Sequence, residues 1–128
     1  MAELSDYLEN KLLDHVLRGT SYTSPTTVYV GLYTSDPGDD NSGTECPGGA
    51  YARQELAVTT ASGGIVTSSA DVTFPQATDS WGTISHIGLL DAVTSGNLLM
   101  HTPLTTSKAI DTGDIFKIPS SSLTAQLS

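Results

Sequence analysis

From residue 26 onward, the chain consists of short segments in which apolar and polar residues alternate, separated by turn-forming residues. Residues 26–34 show the pattern most clearly, because Val28, Val30 and Leu32 fall on one side of an extended chain. Further segments of this kind lie at 51–59, 64–68, 71–74, 82–91, 97–104, 115–118 and 123–127. About eight short strands with frequent turns predict a mainly β protein with a β-sandwich or jelly-roll-like fold.

Turn residues mark where this β region reverses direction. Residues 92–96 (Ala-Val-Thr-Ser-Gly) fit a hairpin loop, because Gly96 adopts a positive φ without strain. Residues 111–114 (Asp-Thr-Gly-Asp) predict another turn. Residues 36–49 are rich in Pro, Gly and acidic residues and predict a long loop.

One helical pattern precedes the β region, at residues 5–18. Ser5 is a suitable N-cap, and Gly19 supplies a stop signal. A chain of 128 residues suits a single hydrophobic core. We therefore expect an N-terminal helix at residues 1–19 and a β-sandwich domain at residues 20–128, in one structural unit.

The apolar arc of this helix is wider than contact with a single sheet requires. At 100° per residue one face carries Leu4, Leu8, Leu12 and Val16, while Leu13 and Leu17 lie beyond its edge. Two interpretations follow. The helix fills the core of its own domain, or part of the arc packs on a neighbouring subunit.

The charge balance bears on the class of partner. The chain has 14 acidic and 5 basic residues, for a net charge of −9, and no Lys or Arg between Arg53 and Lys108. Proteins that bind nucleic acid gain affinity by neutralising phosphates with basic residues. The sequence therefore predicts no direct nucleic-acid binding.

The N-terminus has no signal-peptide pattern, and no apolar run approaches the ~18 residues of a membrane span. We expect synthesis in the cytoplasm and no membrane contact.

Candidate catalytic and metal-binding patterns do not emerge from residue spacing. His15, His86 and His101 lack the close partners that a metal pair on one helix or strand would show. The abundant Ser residues lack a nucleophile elbow, and neither Gly-Gly pair is followed by the Lys-Ser/Thr of a phosphate-binding loop. The sequence predicts a protein that is not an enzyme, with no catalytic, cofactor or metal site.

The long loop allows a second interpretation. Asp36, Asp39, Asp40, Asn41 and Glu45 offer oxygen ligands within ten residues, which suits Ca²⁺, although the spacing is not that of a helix-loop-helix calcium site. A solvated loop is the simpler interpretation.

The lone cysteine of the chain, Cys46, follows in this loop. It has no cysteine partner within the chain and reads as an ordinary thiol, with a nucleophile or an intersubunit disulfide as alternatives.

The single Trp81 stands at the entrance of a predicted strand, after Phe74-Pro75 and before Gly82. An aromatic ring there covers the open end of a sandwich core. The other interpretations are a platform for a carbohydrate or receptor, and a subunit contact.

Several stretches resemble a known family. They are residues 51–54, residues 74–92 around Trp81, residues 31–37 (Gly-Leu-Tyr-Thr-Ser-Asp-Pro) and residues 96–99 (Gly-Asn-Leu-Leu). Over nearly the whole chain the sequence resembles short virion proteins of tailed bacteriophages, which are often labelled tail fibre proteins. Some relatives resemble capsid cement proteins.

The resemblance implies a non-enzymatic virion structural protein. Its leading form is a cement or decoration protein on the capsid surface, a homotrimer that binds and stabilises the major capsid protein lattice. The alternative is a small tail fibre or tail-tip adaptor that takes part in host recognition and binds another virion protein. For the cement form we expect partner contacts on the helix and the long loop, at Leu4, Tyr7, Leu8, Leu12, Asp36, Asp39 and Asp40. For the tail form we expect Trp81 to be the contact residue.

Overall fold

The computed structural model describes residues 2–127, and within this range it contains one helix and nine strands. The helix α1 spans Asp6–Leu17. The strands are β1 (Glu3–Leu4), β2 (Val28–Tyr33), β3 (Gln54–Leu56), β4 (Ile65–Thr67), β5 (Val72–Thr73), β6 (Gly82–Leu90), β7 (Leu98–Ile110), β8 (Lys117–Ile118) and β9 (Thr124–Gln126). The prediction of a mainly β protein with one N-terminal helix and many short strands is confirmed.

Five strands form an antiparallel sheet in the order β1-β7-β6-β2-β3. Its centre is the long hairpin of β6 and β7, in which Gly82 pairs with Ile110 at one end and Leu90 with Leu98 at the other. A register shift between Ile84 and His86 bends this hairpin. The sheet thus presents one long central ribbon with shorter strands on both sides.

The main core lies between this sheet and two small antiparallel ribbons, β4–β9 and β5–β8. Burial of the apolar side chains in this core is the main favourable contribution to folding. The sheet contributes Val30, Leu32, Ile84, Ile87, Leu89 and Ile110, and the ribbons and adjoining segments contribute Val72, Phe74, Phe116, Ile118 and Leu123. Successive side chains of a strand alternate in direction, so Tyr33 lies on the other face of the sheet with Leu90 and Leu98.

An aromatic cluster closes one end of the core. The Trp81 ring meets that of Tyr51 edge to face at 5.6 Å between centroids, and Tyr51 stacks on Phe74 at 6.2 Å. Nε1 of Trp81 donates to the carbonyl of Gly49 at 2.8 Å. A Cβ at Gly48 would lie 1.9 Å from Trp81 Cδ1, so glycine is required there. The buried position of Trp81 therefore agrees with the interpretation of its ring as a cover over the open end of the core.

The strand predicted at 51–59 is shorter in the structure, where β3 spans Gln54–Leu56. Two larger differences concern residues 3–4 and the end of β7. Residues 3–4 form β1, which pairs with Met100 and His101 and was expected to belong to the helix region. Strand β7 continues to Ile110 rather than ending near residue 104, because β6 supplies pairing partners up to Gly82. Both differences arise from pairing between distant segments, which overrides weak local preference.

The helix itself begins and ends as the sequence predicts. Ser5 Oγ accepts a hydrogen bond from the Leu8 N–H at 3.2 Å, and Gly19 follows the C-cap with a φ of 68°. Ser5 also joins the helix to the sheet, since its N–H donates to the Leu99 carbonyl at 2.9 Å. Among the described residues, no helix combines the length and the apolar character that a membrane span needs.

Candidate assembly surface

Helix α1 lies on the outside of the molecule. None of its residues is buried, and Leu8 and Leu12 are only half-buried. Leu13, Val16 and Leu17 are 56%, 72% and 75% exposed. The helix therefore does not fill the core of its own domain, and half of its apolar arc faces solvent.

An apolar groove of about 450 Å³ runs beside the helix, between the sheet and the β4–β9 ribbon. Leu8 of α1 lines it, and Val58 at 46% exposure lies in its wall. Its lining also includes Val28, Leu56, Val66, Leu99, Met100 and Leu123. We call the exposed residues Leu13, Val16 and Leu17 together with this groove the helix–groove surface.

The predicted contact residues of the helix region belong to β1 and α1, and their role as contacts stays a prediction. Leu4 in β1 and Tyr7 in α1 are half-buried, like Leu8 and Leu12. Leu8 belongs to both the helix and the groove. Sequence reasoning did not place Leu13, Val16 and Leu17 among the contacts, although the wide arc of the helical wheel is the signal for them.

The long loop folds back on itself and reaches the helix. The Asp36 carboxylate accepts from the Gly38 N–H at 2.9 Å, and that of Asp40 accepts from the Ser42 N–H at 3.2 Å. The Asp39 carbonyl accepts from the Asp6 N–H at 3.0 Å, at the start of α1. The loop and the helix, predicted separately as contact regions, are therefore neighbours in the fold.

Trp81 stands apart from these regions. It is 1% exposed and hydrogen-bonded to Gly49, so its ring offers no area to a partner in this conformation. We leave it out of the candidate surface, because burial in the aromatic cluster accounts for its position. The expected contacts at Asp36, Asp39 and Asp40 remain predictions, and their carboxylates lie in an exposed loop.

A polar network that the sequence did not indicate anchors the same loop. Arg53 donates to both carboxylate oxygens of Glu45, at 2.8 and 2.7 Å, and to the carbonyls of Ala92 and Ser95 at 2.8 Å each. Tyr51 also donates to the Glu45 carboxylate. The only sequence signal was the isolation of Arg53, the last basic residue before Lys108.

Ionisation of this network follows from its surroundings. Burial raises the pKa of Glu45, but the hydrogen bonds from Arg53 and Tyr51 outweigh burial and hold the pKa below its usual value. Burial raises the pKa of Tyr51, and the hydrogen bond to Glu45 adds to the rise. Burial also raises the pKa of the Cys46 thiol, which supports the interpretation of an ordinary thiol over a nucleophile.

Comparison with known protein families identifies the family of the chain. A family model for the podophage GP4 fiber I protein gp80 matches residues 3–126, from the first residue of β1 to the last of β9. Comparison with curated proteins gives no significant match. The match covers all the described strands and the helix. The chain belongs to the podophage GP4 fiber I protein gp80 family and is a structural protein of a short-tailed phage virion.

Proposed function

We propose that this protein is a small fibre component of the virion, assembled as a homotrimer through the helix–groove surface and attached to another virion protein. The observation that carries the proposal is the exposed apolar half of α1. Apolar strips of this kind on a folded protein commonly mark a contact with another protein. The family description favours a fibre, and the homotrimer follows the resemblance of the sequence to tailed-phage virion proteins.

The exposed apolar residues of α1 suit binding to a partner protein better than they suit catalysis. Leu13, Val16 and Leu17 project from one helix, so a partner that covers the helix buries all three together. An exposed helix beside an apolar groove can exchange contacts with a neighbouring copy in a helix-in-groove manner. Repeated contacts in a symmetric assembly add to the avidity of the whole.

A second candidate is the capsid cement or decoration protein expected from the sequence. The observation in its favour is shape. Residues 2–127 form a compact unit around one main core, without an elongated shaft or a repeated motif. In that role the protein would bind the major capsid protein lattice at the capsid surface.

The location of the protein on intact particles distinguishes the two candidates. A gold-tagged antibody against the chain, viewed on negatively stained virions, should label the tail or the neck if the protein is a fibre component. Labels spread evenly over the head would overturn the fibre proposal and support capsid decoration.

The contact surface is tested by a variant that carries Leu13→Ser, Val16→Ser and Leu17→Ser together. These side chains are exposed in the single chain, so we expect unchanged thermal stability of the fold but loss of the trimer in light scattering. Particle incorporation should fall with it. The control is the pair Val93→Ser and Ile115→Ser, which are 50% and 57% exposed elsewhere. A trimer that survives in the helix variant contradicts the proposed contact.

A further inference from the structure

Three side chains from distant parts of the sequence converge where β1, the long loop and β7 meet. They are Glu3, Asp39 and His101, whose potential ligand atoms all lie within 4.8 Å of one another. His101 Nε2 is 2.8 Å from Asp39 Oδ1 and 4.0 Å from Glu3 Oε2. Asp39 and His101 are 62 residues apart, so spacing along the chain could not reveal the group.

The environment of His101 resembles that of a metal ligand. Its side chain is 6% exposed, while Glu3 and Asp39 open to solvent on the Nε2 side. The opposite ring nitrogen, Nδ1, faces Asp36 Oδ1 at 3.9 Å. A histidine that binds a metal through one nitrogen typically directs the N–H of the other toward a carboxylate. Asp36 stands on that side of the ring.

The charges around the group favour a cation. Within the described residues, the ion pairs of Glu3, Asp36 and Asp39 involve histidines and no Lys or Arg. Asp6 and Glu9 at the start of α1 bring two more carboxylates close to Asp39. The whole chain also carries a net charge of −9, so the electrostatic potential around these carboxylates attracts a cation.

The ligand types narrow the choice of ion. Ca²⁺ and Mg²⁺ bind oxygen atoms, whereas imidazole nitrogen with carboxylates suits Zn²⁺ and similar transition metals. Three protein ligands leave a tetrahedral ion one position for water. We propose that Glu3, Asp39 and His101 bind a divalent transition-metal ion of the Zn²⁺ class.

Binding would replace an existing contact. In the structure, the pair His101 Nε2 and Asp39 Oδ1 is at hydrogen-bond distance, and the ion takes the place of the proton between them. The imidazole then carries its proton on Nδ1, toward Asp36. The ion joins β1 and the long loop to β7, and so fixes the base of α1, whose first residue Asp6 already bonds to Asp39.

Titration of the chelator-treated full chain with ZnCl₂ tests the site directly. We expect saturable binding of one ion per chain, a higher thermal unfolding midpoint, and a shift of the His101 imidazole NMR signals without a comparable shift at His15. Glu3→Gln and Asp39→Asn should each weaken binding at least tenfold while the chain stays folded. Asp39→Asn keeps an oxygen acceptor for His101, which protects the fold of that variant.

The matched control is Asp111→Asn, an exposed acidic residue in the turn after β7, which should leave Zn²⁺ affinity unchanged. No saturable binding overturns the proposal, and so does binding that neither ligand variant weakens, since the ion is then held at the surface elsewhere. Equal binding of Ca²⁺ without a shift at His101 also overturns it, because carboxylates alone would then hold the cation. None of these measurements depends on oligomeric state or on particle binding.

Discussion

At the scale of single residues, Arg53 and Glu45 connect parts of the chain that the strands do not join. The guanidinium is almost fully buried and contacts the Glu45 carboxylate, while its Nη1 donates to two carbonyls of the 91–97 hairpin loop. Each of its three nitrogens thus has a partner, as a buried charge requires. This pair fixes the loop between β2 and β3 against the hairpin of β6 and β7.

Replacing Arg53 should therefore be costly. Arg53→Ala leaves Glu45 without its cation and two carbonyls without a donor, and we expect a loss of about 3 kcal/mol in the free energy of unfolding. Arg18→Ala is the matched control, because Arg18 pairs with Asp14 at the surface and should cost less than about 1 kcal/mol. Urea unfolding of both variants measures the difference. Equal losses would show that the Arg53 network contributes no more than a surface pair.

The same network predicts acid sensitivity. Although burial raises it, the pKa of Glu45 in the folded chain is held below that of an ordinary glutamate by the hydrogen bonds from Arg53 and Tyr51. Its contribution to stability is thus present above the ordinary glutamate pKa of about 4.3 and is lost as the pH falls through the lower folded pKa. Glu45→Gln should lower the free energy of unfolding at neutral pH. The difference between the variant and the wild type should narrow as the pH falls through the folded pKa of Glu45. Urea unfolding across a pH series provides the test, and a gap that is constant with pH would contradict it.

At the scale of elements, β1 and α1 form an arm attached to the edge of the sheet. The main core cluster contains no residue of this arm, and its members run from Val30 to Leu123. The arm is held in place by the pairing of β1 with β7, by the bonds of Ser5 to β7, and by the bond from the Asp6 N–H to the Asp39 carbonyl. The arm is thus an accessory of the β fold rather than part of its core.

The attachment of the arm at the sheet edge predicts the effect of deleting residues 1–18. We expect the shortened chain to keep a β-type far-UV circular dichroism spectrum, because the core cluster remains complete. Trimer formation and incorporation into particles should be lost, since the exposed helix face is removed. Full-length protein with the Ser replacements at Val93 and Ile115 serves as the reference. Normal incorporation of the shortened chain would exclude the arm from assembly.

Local sequence signals predicted the elements that depend on neighbouring residues. The N-cap Ser5, the stop at Gly19 and the hairpin loop with Gly96 are all set by the residues next to them. Features set by distant pairing were missed, such as β1 and the outer half of β7, where Thr105 and Ser107 show little apolar alternation. The grouping of Glu3 and Asp39 with His101 has the same origin, because only the folded sheet brings these segments together.

At the scale of the whole molecule, an acidic surface and an apolar helix serve different ends. A net charge of −9 keeps free copies apart in solution and discourages contact with nucleic acid. The exposed face of α1 works in the opposite direction, since apolar contact is less weakened by salt than charge repulsion is. In the proposed assembly, copies associate where this face is covered and repel one another elsewhere.

The order of the sheet has a further consequence for contacts between copies of the chain. Its edges are β1 and β3, of two and three residues, while the long strands β6 and β7 lie inside. At β1 and β3 a neighbouring copy finds few backbone groups to pair with. Among the described residues, β1 pairs with only two residues of β7, which continues to Ile110, so edge-to-edge pairing of crowded copies is expected along this outer part of β7 rather than at β1 or β3.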